Sequence, residues 1–166
     1  MRRLQNKYEG SHLLAIFFLL FSGRLWAHGH HEHHTTATGS PNREAALSEV
    51  KKLYEQSVRS IFERSCADCH TQNTKYPIYY KVPGAKQLID HDVAGAKKHL
   101  DMTDGFPFKG HGSPEEDLKA IKEVVSKKSM PPFRYRLLHS GSALSEDERV
   151  KVLQWIEESQ KKLQNE

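Results

Sequence analysis

Cys66-Ala67-Asp68-Cys69-His70 contains both cysteines of this chain and limits what it can fold into more than any other feature. Four chemistries use such a pair. A redox-active C-x-x-C belongs in a βαβ unit, and nothing here shows the strict alternation of a half-buried strand. A structural zinc ion takes about two more Cys or His ligands at matching spacing, and no second cysteine pair exists. A disulfide between the two would close a tiny loop and stabilise little. The fourth chemistry fits the following histidine as well, because C-x-x-C-H is the attachment signature of a c-type haem. Two thiols three positions apart can reach the two vinyl groups on one porphyrin edge. His70 then falls under the iron on its proximal side.

The first 27 residues read as an export signal. A basic start (Arg2, Arg3, Lys7) precedes an apolar run from Leu13 to Phe21, and Leu25-Trp26-Ala27 offers a small residue for cleavage. The run is far shorter than the ~20 residues that span a bilayer, so no transmembrane segment is expected after cleavage, and the destination is the periplasm or another exported location. Residues 28–42 follow as a His-rich flexible tail, too polar to offset the entropy of ordering it. Cleavage after Ala27 would make His28-Gly29-His30 the new start. A free amine, two amides and His30 can ring Cu(II) or Ni(II) in a square plane; a merely solvated tail is the other reading. The formal charge of +4 also comes mostly from the leader, which carries four basic residues against Glu9. The remainder is close to neutral, so a nucleic-acid partner is not expected.

Residues 43–166 are left to fold, and they read as all-α. Leu47, Val50, Leu53, Tyr54, Val58, Ile61 and Phe62 recur at helical spacing and predict one helix of about twenty residues ending near Ser65. Gly84 to Leu100 predicts a second, with Leu88, Ile89, Val93 and Ala96 as its apolar side. Ser113-Pro114-x-Glu116 and Ser145-x-x-Glu148 are capping boxes that start a third helix and a fourth. Leu118, Ile121, Val124 and Val125 form the third helix's stripe; Val150, Leu153, Trp155 and Ile156 form the fourth's. Residues 71–83, 101–112 and 130–144 read as long loops. Four helices make a thin core for so much loop, which suits a domain wrapped around one haem.

Haem iron takes a sixth ligand or keeps an open site. Met130 stands where Pro131 ends the third helix, and Pro131-Pro132 stiffen the chain there, so a thioether would be held in one place. Met–His ligation raises the reduction potential. Met102 is the weaker candidate. His91, His99, His111 and His139 read as surface or helix-end residues. Tyr76, Tyr79 and Tyr80 could pack on the porphyrin or form a plain core patch, and Lys97-Lys98 and Lys127-Lys128 could guide an acidic partner.

With these residues in place, the chain resembles the class I cytochrome c layout, and more narrowly the bacterial haem-binding domain family. The resemblance lies in Ser65 to His70, Lys75-Tyr76-Pro77 through Tyr79, Leu88 to Asp92, Met130-Pro131-Pro132 and Leu137-Leu138-His139. It implies a mono-haem c-type domain of cytochrome c-like fold, with Phe106 to Gly112 as an extended version of the family's loop.

The functional expectation is an exported electron carrier. Cys66 and Cys69 anchor haem c, His70 is proximal, Met130 is distal, and a redox partner protein is implied. No separate acid–base constellation points to an enzyme. The alternatives are an open-site haem sensor or peroxidase-like enzyme, and metal handling by the His-rich tail.

Overall fold

The computed structural model describes residues 40–110 and 112–165. The expected leader and nearly all of the tail, with His28 and His30, lie outside the described residues, as does His111. Among the described residues the domain is all-α apart from one minimal strand pair.

Helix α1 (Pro41–Ser57) is capped by Ser40, whose side chain accepts from the Arg43 amide, with Pro41 pre-setting the first turn. It therefore begins two residues inside the expected tail. The single first helix is in fact two. Val58, fully buried with φ −126°, breaks the repeat and starts α2 (Arg59–Ser65). The break turns Ile61, Phe62 and Ser65 toward the core. One turn, α3 (Ala67–His70), follows directly.

A 3-10 turn at Ile78–Lys81 interrupts the first expected loop. Helix α4 (Ala85–His99) starts after Gly84 and buries Val93, while Leu88 is exposed rather than on its apolar side. Strands β1 (Leu100–Asp101) and β2 (Lys109–Gly110) pair antiparallel, with Leu100 opposite Gly110. They were not legible because two residues cannot show alternation. Gly110 sits at φ +146°, and a Cβ there would lie 2.6 Å from the His99 carbonyl oxygen, so only glycine lets the strands close.

Helix α5 (Pro114–Ser126) and helix α7 (Glu146–Gln164) carry both capping boxes as expected. Between them, α6 (Phe133–Leu138) occupies part of a segment expected to be loop. The buried face of α7 is Val152, Trp155, Ile156, Ser159 and Leu163, and Val150 lies outside it.

The core gathers where α7 packs on α1 and α5. Its centre is aromatic: Tyr54, Phe62, Phe106, Phe108 and Trp155 meet with ring centroids 5.5–6.0 Å apart. Most contacts are edge-on, the arrangement that aromatic quadrupoles favour. Two of the five rings come from the expected loop 101–112, which dips Met102, Phe106 and Phe108 into the core. Arg64 at the end of α2 reaches α7 through a bidentate pair, both nitrogens 2.8 Å from the Glu148 carboxylate oxygens.

Two outcomes follow. Phe106→Ala should cost about 3–5 kcal/mol, because Phe106 is fully buried and packs edge-on against the Phe108 and Trp155 rings. A urea-midpoint change typical of a surface loop residue would show that this segment is not core. The second concerns acid stability. Arg64 and the Ser145 cap hold the Glu148 carboxyl at about 2, below its usual value of 4.5. A depressed carboxyl stabilises the fold above its unfolded pKa and loses that contribution as pH falls through its folded one. Glu148→Gln should therefore destabilise by about 1 kcal/mol near neutrality, the upper end for a partly exposed pair, and by almost nothing near pH 2. A difference that stays flat across that window in pH-resolved unfolding would contradict this role.

Candidate haem site

The C-x-x-C-H motif is built on a tight junction of helices. The Cys66 amide closes α2 on the Phe62 carbonyl at 2.8 Å, and the Cys66 carbonyl then accepts from the Cys69 and His70 amides at 3.2 and 3.0 Å. Positions i, i+3 and i+4 share one helical face, so both thiols and the imidazole turn the same way. All three line a cavity of about 780 Å³. That volume falls within the ~300–1,000 Å³ of small-molecule and cofactor pockets.

His70 is oriented from behind. Its Nδ1 lies 2.8 Å from the Leu100 carbonyl oxygen. A carbonyl can only accept, so Nδ1 carries the proton and Nε2 keeps its lone pair. The Met102 amide donates to the His70 carbonyl at 2.7 Å, fixing the backbone as well. Burial pushes the imidazole pKa down, against the opposing pull of the Leu100 carbonyl, and favours the neutral ring that a metal ligand must be. Burial also pushes the Cys66 thiol up to about 12 and raises Cys69. Both are free thiols.

Much of the wall is apolar: Ile61, Phe62, Ile121, Val124, Val125, Leu144 and Val152 line it. Met130, Pro131 and Pro132 line it too, and Met130 is 43% exposed. Met102 also touches the cavity but is buried in the core, tied by its own amide to the His70 backbone. Of the two methionines, Met130 is the one on a separate, solvent-facing segment. Its peptide bond to Pro131 is cis.

Several lining residues were not anticipated. Tyr135 on α6 lines the cavity and donates to the Asp68 carboxylate inside the motif at 2.7 Å; its ring stacks on His139 with centroids 4.0 Å apart. Burial and that hydrogen bond raise the Tyr135 pKa. Arg134 pairs with Asp92 on α4 at 2.5 Å. Together these bonds latch the segment after Met130 to α3 and α4. Asp117, buried in the first turn of α5, lines the cavity as well; in sequence it reads as an ordinary acid near a helix N-terminus. His91 and His99 line the cavity from exposed positions. None of Tyr76, Tyr79 and Tyr80 lines it. Tyr76 and Tyr80 pack on each other at 4.2 Å, and Tyr80 donates to Asp90.

The competing chemistries find little support. The motif lies between helices, away from any βαβ unit. Among the described residues no group of three or more His, Cys, Asp or Glu is arranged to hold a metal ion. An apolar cavity with two thiols and an oriented, neutral imidazole on one wall fits a haem.

The haem-binding domain family matches residues 29–158. This chain belongs to that family. A cytochrome c peroxidase of Escherichia coli K12 is 32% identical over 145 residues, covering 86% of this chain and 30% of that protein. The chain thus spans under a third of the length of that curated relative. No solved structure matches it. This haem-binding domain is therefore a haem protein, and among its described residues no helix is long and apolar enough to cross a membrane.

The latch has a testable consequence. Tyr135→Phe removes one hydrogen bond to a charged acceptor, and should destabilise the domain by about 1.5–3 kcal/mol while leaving the core intact. Asp68→Asn should cost less, since an amide oxygen still accepts. Equal stability of wild type and Tyr135→Phe in urea titrations would dismiss the latch.

Proposed function

We propose that this haem-binding domain is an exported, mono-haem c-type electron carrier. The observation that carries the reading is the shared cavity: Cys66, Cys69 and an oriented His70 on one wall, with Met130 on the same lining. Cys66 and Cys69 anchor the haem as thioethers. Each thiol would add across one vinyl double bond, sulfur to one carbon and hydrogen to the other, so the attachment would move no net electrons. His70 offers Nε2 to the iron, because Nδ1 is committed to the Leu100 carbonyl. Met130 would offer its thioether to the iron, which would favour the ferrous state and fill the site. When bound, haem supplies a one-electron iron couple, and an unchanging ligand set suits rapid exchange. The leader from Met1 to Ala27 supports export to the periplasm or an equivalent compartment.

A second reading has one observation of its own, the identity to a protein named a cytochrome c peroxidase. If Met130 leaves the site, peroxide could enter the cavity, and buried Asp117 is a lining carboxyl that could carry a proton.

One set of measurements on the matured protein separates the two. Haem should stay with the polypeptide through acid–organic extraction, and the ferric spectrum should be low-spin. Met130→Ala should lower the reduction potential and admit carbon monoxide readily, while Met102→Ala should do neither. Complete extraction of the haem overturns the thioether attachment. A high-spin wild type that takes up carbon monoxide as fast as Met130→Ala overturns the carrier in favour of the open site.

A further inference from the structure

We propose that the face formed by residues 75–89 and 127–145 is a docking surface for an acidic redox protein, whose own contact face is an apolar centre ringed by carboxylates. The inference rests on the electron-carrier reading and names the kind of partner that reading requires.

Two observations coincide on this face. The first is its apolar content. Of nine large hydrophobic side chains exposed among the described residues, all but Val150 belong to these two segments. Ile78 is 95% exposed, Phe133 72%, Leu137 70% and Leu138 63%. None of these four lines the haem cavity, so filling the cavity would not cover them. The segments touch where Tyr79 meets His139 edge-on at 6.3 Å. Monomeric proteins seldom leave such groups gathered without an interaction to serve.

The second observation is charge. Residues 75–89 and 127–145 contain seven Lys and Arg and no Asp or Glu. Lys86, Lys127, Lys128 and Arg134 are paired with acids from outside these segments. Lys75, Lys81 and Arg136 make no ion pair among the described residues. With those four pairs discounted, Lys75, Lys81 and Arg136 leave the face positive, and it favours an acidic partner in both approach and orientation. Its place beside Met130 brings that partner to the mouth of the cavity, where electron exchange needs the shortest separation. The apolar centre would add desolvated contact once the charges have oriented the pair.

Stopped-flow reduction of the ferric, haem-loaded protein tests this, with reduced flavodoxin as the acidic probe and dithionite as a small-molecule control. The wild type should show rates that saturate with flavodoxin and fall as salt rises. Lys75→Glu combined with Lys81→Glu should lower the second-order constant about tenfold or more at low salt. Ile78→Ser combined with Leu138→Ser should weaken the saturating complex without changing the salt dependence. Neither variant should alter the unfolding midpoint, and Ile78→Ser combined with Leu138→Ser should leave the dithionite rate unchanged. Flavodoxin rates that do not saturate, or that ignore both double variants, overturn the proposal. So does binding to phosphatidylglycerol vesicles that the same variants abolish while flavodoxin rates stay unchanged, which would make the face a lipid surface. A wild-type dimer in sedimentation that Ile78→Ser with Leu138→Ser dissociates would reassign it to a second copy of this chain. A haem that dithionite cannot reduce would defeat the carrier reading instead, whatever flavodoxin does.

Discussion

The hydrogen bond from His70 Nδ1 to the Leu100 carbonyl, 2.8 Å long, is the interaction on which the rest of the site depends. It fixes the tautomer and the ring plane of the imidazole in one contact. It also explains the minimal strand pair. Leu100 stands in β1, and β1 is held in place by Gly110 of β2, where no side chain fits. A two-residue sheet thus serves as the backstop for the ring that faces the cavity.

The same arrangement couples the site to the core. The loop that leaves β1 carries Met102, whose amide bonds the His70 carbonyl, and then Phe106 and Phe108, which join the aromatic cluster with Tyr54, Phe62 and Trp155. Phe62 lies one turn before Cys66 and closes α2 through its carbonyl. The cavity walls are therefore continuous with the hydrophobic core on the His70 side. The opposite side is different. Met130, Pro131 and α6 are secured to α3 and α4 by polar bonds, from Tyr135 to Asp68 and from Arg134 to Asp92. Polar latches of this kind give less than core packing does, so the methionine side is the more readily displaced wall.

Much of this was legible in the sequence wherever the signal is local. The C-x-x-C-H spacing places three groups on one helical face. The boxes at Ser113 and Ser145 start α5 and α7 because a hydroxyl and a carboxylate satisfy each other's end of a helix. Periodicity found the helical span from Leu47 to Ser65, yet it could not show the break at Val58, since Val58 fits an apolar stripe whether or not its backbone is helical. It placed Val150 and Leu88 inward, although both are exposed. Apolar character says what a residue prefers, and the packing of neighbouring helices decides which face is covered.

What the sequence determined by itself was the chemistry: two thiols, a histidine and a thioether beside a proline pair, in an all-α chain. What only the tertiary structure decided was which of these groups meet and what holds them. The Leu100 carbonyl lies thirty residues from His70, and Tyr135 lies sixty-seven from Asp68. Residue spacing along the chain carries no record of such distances. The loop between β1 and β2 reads as polar punctuation with Gly and Pro, and only folding shows its phenylalanines to be core. The gathering of exposed apolar and basic groups beside the cavity belongs to the fold in the same way, because a surface patch assembles segments that are neighbours in space and strangers in sequence.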